Sequence, residues 1–196
     1  MTSSPDGNDE RMPRPASTAD RILIAYEDLL LEVGERGATL EAVASRAGVS
    51  KGGLLYHFGS KDALSIGLVH RLHHLADEDL ALMATAGSGP VTYLIRTSID
   101  AASPLDRSLI ATSRLAQAQD ARAGEALATI RNQWLALITD AVGDPAVARA
   151  IVLVSDGLYF NSAMHGMGTP NPADVSEEGI DSLLTVLDRF STPSVG

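Results

Sequence analysis

The stretch TLEAVASRAGVSKGGLLYHFGSKDAL, residues 39–64, decides the fold. Leu40, Val43, Ala44 and Ala47 share one face of a short helix that Thr39 can cap and Gly48 can stop, because glycine enters the left-handed region without a side-chain clash. A turn, Gly48-Val49-Ser50, follows. Ser50 can then accept from the free amides of a second short helix, with Val49 stapling onto Leu54 in the next turn. Leu54, Leu55 and Phe58 repeat on the side that must cover a neighbouring helix and read as core. Two short helices across a tight turn make a helix-turn-helix, whose second member lies in the DNA major groove with its first residues nearest the bases. Many such hairpins bind no DNA, so the pattern alone leaves simple packing open. The residues favour DNA: Ser50 and Lys51 offer a hydroxyl and a cation, Gly52 and Gly53 allow close backbone approach, and Tyr56 and His57 lie one turn on.

Helical periodicity continues on both sides of this stretch. Ile22, Ala25, Tyr26, Leu29, Leu30 and Val33 fall on one face of a first helix, capped by Ser17 or Thr18 and ending near Gly34. Ser60 caps a fourth helix that carries Leu64, Leu68, Leu72 and Leu75 to about residue 84, long enough to join two domains as a rod. Gly87-Ser88-Gly89-Pro90 breaks the chain, and Pro104 and Pro145 follow the caps Ser103 and Asp144. Further helices are expected near 91–102, 104–118, 121–142, 145–165 and 175–190, with a Gly- and Pro-rich loop at 165–173. Alternating strand patterns and internal repeats are absent, so the fold class is all-α with about nine helices. The expected organisation is a disordered arm over 1–17, a three-helix DNA-binding domain over 18–62, an antiparallel helical effector and dimerisation domain over 63–191, and a tail over 192–196.

A net charge of −10 over 196 residues looks wrong for a partner of nucleic acid, whose phosphates call for Lys and Arg. Its distribution resolves the conflict. Residues 36–61 hold Arg36, Arg46, Lys51 and Lys61 against Glu41 alone, a local +3, while the chain beyond carries 8 Arg against 16 Asp and Glu. An acidic body with one positive tip would orient its own encounter with DNA. Cysteine is absent, which excludes disulfides, thiolate metal sites and cysteine nucleophiles. The polar N-terminal stretch lacks the apolar centre of a signal peptide, and no apolar run has the length of a membrane span, so a cytoplasmic protein without membrane contact is expected.

The run from Thr39 to Leu64 resembles the N-terminal DNA-binding segment of the TetR family, through Ala-Gly-Val-Ser, then Tyr-His-Phe, then Ser-Lys in that order. The resemblance implies that Thr39, Tyr56 and Lys61 hold phosphates, while Ser50, Lys51, Gly53 and His57 face the groove, with Gly52 beside them. Many relatives have Thr at the position of Gly53, so one base or methyl contact is missing here. It also implies a homodimer built through the last two helices, a pseudo-palindromic double-stranded DNA operator and a small-molecule effector. Gly157 with Ala146, Ala148 and Ala150 would let the eighth helix approach a partner closely, and Leu183, Leu184, Val186 and Leu187 give the ninth an apolar face.

The effector is less legible. Gln133-Trp134 and Asp156-Gly157-Leu158-Tyr159-Phe160 resemble a subset of TetR-type regulators that includes repressors of multidrug efflux genes. Tyr93, Trp134, Tyr159 and Phe160 are four of the eight aromatics in a chain only 4% aromatic, and with Asp156 they form the candidate ligand set, suited to a hydrophobic or cationic aromatic molecule. A hydrophobic metabolite, or a helical interaction protein without DNA binding, are the rival readings. His70, His73 and His74 share a helix region but lack the HExxH arrangement, so neither a metal nor a cofactor is expected. No nucleotide-binding glycine loop, nucleophile elbow or paired-acid motif supports an enzyme.

Overall fold

The structure, a computed structural model, describes residues 17–99, 103–164 and 176–191. The expected arm, the loop at 165–173 and the tail lie outside these residues, apart from Ser17. Among the described residues the order is α1 (Thr18–Gly37), α2 (Leu40–Ala47), α3 (Lys51–His57), α4 (Lys61–Thr85), α5 (Pro90–Thr97), α6 (Pro104–Gln117), α7 (Ala121–Val142), α8 (Pro145–Met164) and α9 (Glu177–Ser191), with no strand.

Local chemistry starts and stops these helices. Ser17 forms a capping box with Asp20, Thr39 accepts from Ala42 N, Ser50 from Gly53 N and Ser60 from Ala63 N. Each interaction satisfies one of the amide groups that a helix start leaves free. Gly48 closes α2 at φ +67°, as the turn requires. Gly34 interrupts α1 at φ +72°, and the helix resumes for one more turn. Val33, expected on the buried stripe, is 56% exposed. It lies just before the break, packed so closely on Gly37 that a Cβ there would fall 2.6 Å from Val33 Cγ2. The expected fifth helix is also shorter than its pattern suggests, since α5 closes on Ser98.

Three apolar clusters run through the molecule. The first joins Ile22, Tyr26 and Leu30 of α1 to Val43, Leu54, Leu64 and Leu68, and takes in Ala111 and Leu115 of α6. The second unites Met83, Ile95, Ile138, Ile151 and Leu187 from α4, α5, α7, α8 and α9. Leu72, Ala76 and Ile130 form a smaller one beside Trp134. Helix α4 contributes to all three, so its 25 residues, about 37 Å at 1.5 Å per residue, run from the helix-turn-helix into the body. The first core also crosses residue 62, because α6 covers the back of α1.

Glu27 of α1 is the polar group at this crossing. It is buried, and its Oε1 accepts from Arg71 Nε at 3.1 Å and from Ser108 Oγ at 2.8 Å. Burial raises its pKa, an effect opposed by the Ser108 hydrogen bond and the Arg71 charge. Next to it, Asp28 receives Arg107 of α6 and lies 3.8 Å from Arg46 of α2.

Within α3, Leu54 is fully buried, whereas Leu55, expected in the core, is 38% exposed. A helix this short has room for one buried ridge, and Leu54 with Phe58 fills it. Leu54→Ala should therefore destabilise the protein by about 2–5 kcal/mol, the usual cost of truncating a buried leucine, and Leu55→Ala by well under half of that. Thermal or urea unfolding followed by circular dichroism would read the difference, and equal losses would contradict this packing.

Candidate nucleic-acid interface and ligand cavity

The residues expected to touch DNA come from three helix starts and the exposed side of α3. Thr39 is the cap of α2, Ser50 the cap of α3, and Lys61 the first residue of α4. Thr39, Ser50, Lys51, Gly52, Tyr56 and His57 are exposed, while Gly53 and Lys61 are half-buried. Tyr56 is 86% exposed, and its ring meets that of His57 edge-on at 5.3 Å. A tyrosine so exposed contributes little to the core, and its phenol is free to act outward. At Gly53 a Cβ would meet only Ser50 Oγ at 3.3 Å and Val49 Cβ at 3.9 Å, and Ser50 Oγ accepts the Gly53 amide at 3.0 Å.

The positive tip counted along the sequence is different in space. Lys51 Nζ sits 2.5 Å from Glu41 Oε1, and Lys61 Nζ lies 2.7 Å from Glu35 Oε1 while also donating to the Glu35 carbonyl. Arg46 makes a two-pronged bond to Glu32 at 2.6 and 2.9 Å. Hydrogen bonding to these cations holds the Glu32 and Glu41 carboxyls below the usual range. Three of the acids, Asp28, Glu32 and Glu35, belong to α1 and fall outside the window that gave +3. Arg36, which the motif did not single out, is exposed at the end of α1 and has no ion pair among the described residues.

A partly open cavity of about 570 Å³ lies between α4, α5, α6, α7 and α8. Of the candidate ligand set, Tyr93, Trp134, Asp156 and Tyr159 line it. Phe160 does not: it is 63% exposed on the outer side of α8. The adjacent positions 159 and 160 point about 100° apart on a helix, so both cannot face one cavity. Asp156, proposed as the acid, is at the cavity but is paired to Arg131 at 2.8 Å.

A different acid holds the aromatic groups. Asp79 of α4 accepts from Tyr93 Oη at 2.9 Å on one oxygen and from Trp134 Nε1 at 3.0 Å on the other. Sequence reasoning passed over it because Asp77, Glu78 and Asp79 look like a solvated charge run. The helical period separates them: Asp77 and Glu78 are exposed, and Asp79 turns inward. Burial, helped by the Asp79 hydrogen bond and charge, pushes the Tyr93 phenol up to about 12. Tyr159 donates to the backbone carbonyl of Asp106 at 3.1 Å, and burial raises its pKa too. Among the described residues no cluster of three or more metal-ligating side chains occurs, and His70 and His73 face a shallower surface pocket with Arg122 and Glu125.

The outer face of α8 has its own pattern. Ala146, Ala150, Leu153, Gly157 and Phe160 recur at alternating steps of four and three and are all exposed. Val186 and Phe190 extend the apolar surface onto α9. Ala148 and Leu187, expected on the same faces, are instead buried in the chain's own second core. No helix among the described residues is long and apolar enough to cross a membrane.

Comparison with known proteins agrees with this architecture. Residues 22–66 match the model of the bacterial regulatory proteins of the tetR family. The multidrug binding protein EbrR, solved with imidazole, superposes with a TM-score of 0.58 at 22% identity, covering 88% of this chain and 96% of that one. A Streptomyces avermitilis protein assigned to the tetR transcriptional regulators gives 0.60 at 26% identity, covering 88% and 99%. The ketosteroid transcriptional regulator KstR2 of Mycobacterium tuberculosis gives 0.63 at 18% identity, covering 90% and 96%. The helix-turn-helix segment is thus matched in sequence by the tetR family of bacterial regulatory proteins, and the chain shares its helical fold with these solved proteins.

Proposed function

We propose that the protein is a ligand-responsive, DNA-binding transcriptional repressor that acts as a cytoplasmic homodimer and leaves its operator when a small hydrophobic or cationic aromatic effector fills the cavity. The observation that carries this reading is α3 itself, anchored by a fully buried Leu54 while Lys51, Tyr56 and His57 stand out from the surface. The helix start would meet base edges, with Thr39, Tyr56 and Lys61 on flanking phosphates. Lys51 and Lys61 need no free charge beforehand. Their present carboxylate partners are at least one-third exposed, and such pairs are weak enough to exchange for phosphate.

Dimerisation follows from the exposed stripe of α8 and α9, where small residues at 146, 150 and 157 permit close approach and Leu153, Phe160, Val186 and Phe190 supply apolar area. Two recognition helices would then enter successive major grooves, about 34–36 Å apart. Helix α4 reaches both the cavity and the DNA-binding unit, so an effector that prefers another disposition of α4 shifts the population away from DNA by its difference in affinity for the two states. A lipophilic effector suits the cavity wall, and the same fold serves a multidrug binding protein in EbrR and a ketosteroid regulator in KstR2.

Fluorescence-anisotropy titration against the DNA flanking its own gene tests the central reading. The double variant Lys51→Ala, Tyr56→Ala should bind at least tenfold more weakly, with a salt slope shallower by about one for each phosphate that the variant no longer neutralises. Glu41→Gln, which frees Lys51, should bind several-fold more tightly at low salt. Absence of any preference for that DNA in the native protein would refute the proposal.

Gly157→Glu sets a charge in the middle of the α8 stripe, where a Cβ meets nothing within 4 Å in the single chain. It should yield a folded monomer by light scattering that no longer binds operator. A dimer of unchanged stability would place the interface elsewhere.

A further inference from the structure

We infer that Asp79 is the charge-reading group of the cavity, and that the effector it selects is an aromatic cation seated with its positive centre beside Asp79, Tyr93 and Trp134. This inference rests on the reading of the cavity as the effector site and adds the class of molecule and the residue that recognises it.

The case begins with charge. The cavity wall carries four acids, Glu78, Asp79, Asp106 and Asp156, and a single base, Arg131. Arg131 is engaged by Asp156 at 2.8 Å. Asp106 serves the start of α6, accepting from Ser103 N and Ser103 Oγ in a capping box. Glu78 is exposed and 3.4 Å from His74. Asp79 alone is half-buried with two neutral donors and no cationic partner among the described residues.

Neutral donors satisfy the directionality of a carboxylate without cancelling its charge. Because the indole N–H can only donate and the phenol is donating, both fix the carboxylate in place as an acceptor. What remains is a fixed negative charge without a cationic partner among the described residues, in a cavity wall to which Leu75, Leu94, Leu105, Leu109, Ile110 and Leu127 contribute apolar surface that weakens screening by water. The two side chains that hold it are aromatic, and tryptophan and tyrosine rings attract cations through their faces. A volume of about 570 Å³ falls in the range of drug-sized ligand sites. A neutral lipid-like effector would cover the half-buried Asp79 charge without compensating it, which disfavours such a ligand.

The site also lies on the lever. Asp79 is 18 residues beyond Lys61 on α4, about 27 Å along one continuous helix, so a cation drawn to it acts directly on the element that begins at the DNA-binding unit.

Trp134 is the single tryptophan of the chain, so its emission reports on this site. The full-length protein is titrated with benzyltrimethylammonium and with neopentylbenzene, the neutral carbon analogue of the same shape, following Trp134 emission and heat. The expected result is at least tenfold tighter binding of the cation. Asp79→Asn should abolish that preference while moving the affinity for neopentylbenzene less than twofold. Tyr93→Phe, which keeps the charge, should retain the preference, and Asp156→Asn should diminish it far less than Asp79→Asn does. Equal or tighter binding of the neutral compound by the native protein, or a preference that survives Asp79→Asn in a variant with native circular dichroism, would overturn the role of Asp79 and leave the cavity reading intact. Failure of both compounds to bind would overturn the cavity reading and this inference together. The comparison of the two compounds on native protein holds even if Asp79→Asn does not fold.

Discussion

One buried carboxylate ties the helix-turn-helix unit to the body. Glu27 sits on α1, takes Arg71 from α4 and Ser108 from α6, and thereby fixes three helices from different parts of the chain at one point. A charge in such a place tolerates little displacement, since separation from Arg71 would leave it desolvated and unpaired. Its neighbour Asp28 extends the connection outward, receiving Arg107 of α6 and lying near Arg46 of α2. Apolar contact supplies most of the attraction between α1 and α6, but these polar groups set their register. The same α6 presents Leu109, Ile110 and Ser113 to the cavity. Cavity wall and helix-turn-helix support are thus two sides of one helix.

Electrostatics in this chain is organised by pairing and not by net excess. Around the helix-turn-helix nearly every cation has a carboxylate partner from α1 or α2, so these lysines and arginines add little net positive charge to the surface. Exchange of one anion for another at such positions is close to balanced, so contacts that depend on shape and hydrogen bonding gain weight relative to bulk attraction. In the cavity the opposite holds. There the low polarity of the wall magnifies each unmatched charge, and the arrangement of Arg131, Asp156 and Asp79 leaves one of them unmatched.

Much of the fold was legible because its signals are local. Serine and threonine caps, Gly48, and the prolines at 104 and 145 mark helix starts and stops through interactions spanning a few residues, and the structure places them accordingly. The helix-turn-helix was legible for the same reason. Less visible was anything decided by which helix packs beside which. Glu27 falls on what the periodicity makes a polar position of α1, yet two other helices cover it. Leu55 looks like core until the short α3 is seen to bury a single ridge. Phe160 shares a cluster of aromatic letters with Tyr159 but points away from the cavity, and Asp79 was hidden inside an acidic triplet from which only it turns inward. Pairwise facts such as Arg131 with Asp156 join residues 25 apart, and no spacing rule within one helix could reveal them.

The close contact at Gly67 sets how α3 is carried. A Cβ at this position of α4 would lie 2.7 Å from the ring of Phe58 and 3.1 Å from Leu23 of α1, so the absent methyl is the thickness by which these segments are allowed to approach. Phe58 closes the recognition helix, and its ring rests against bare backbone. Alanine, the best helix former elsewhere, would here act as a wedge, tilting the end of that helix while leaving every residue on its outer surface unchanged. The orientation of the outer face of α3 is therefore governed in part by a position with no side chain at all.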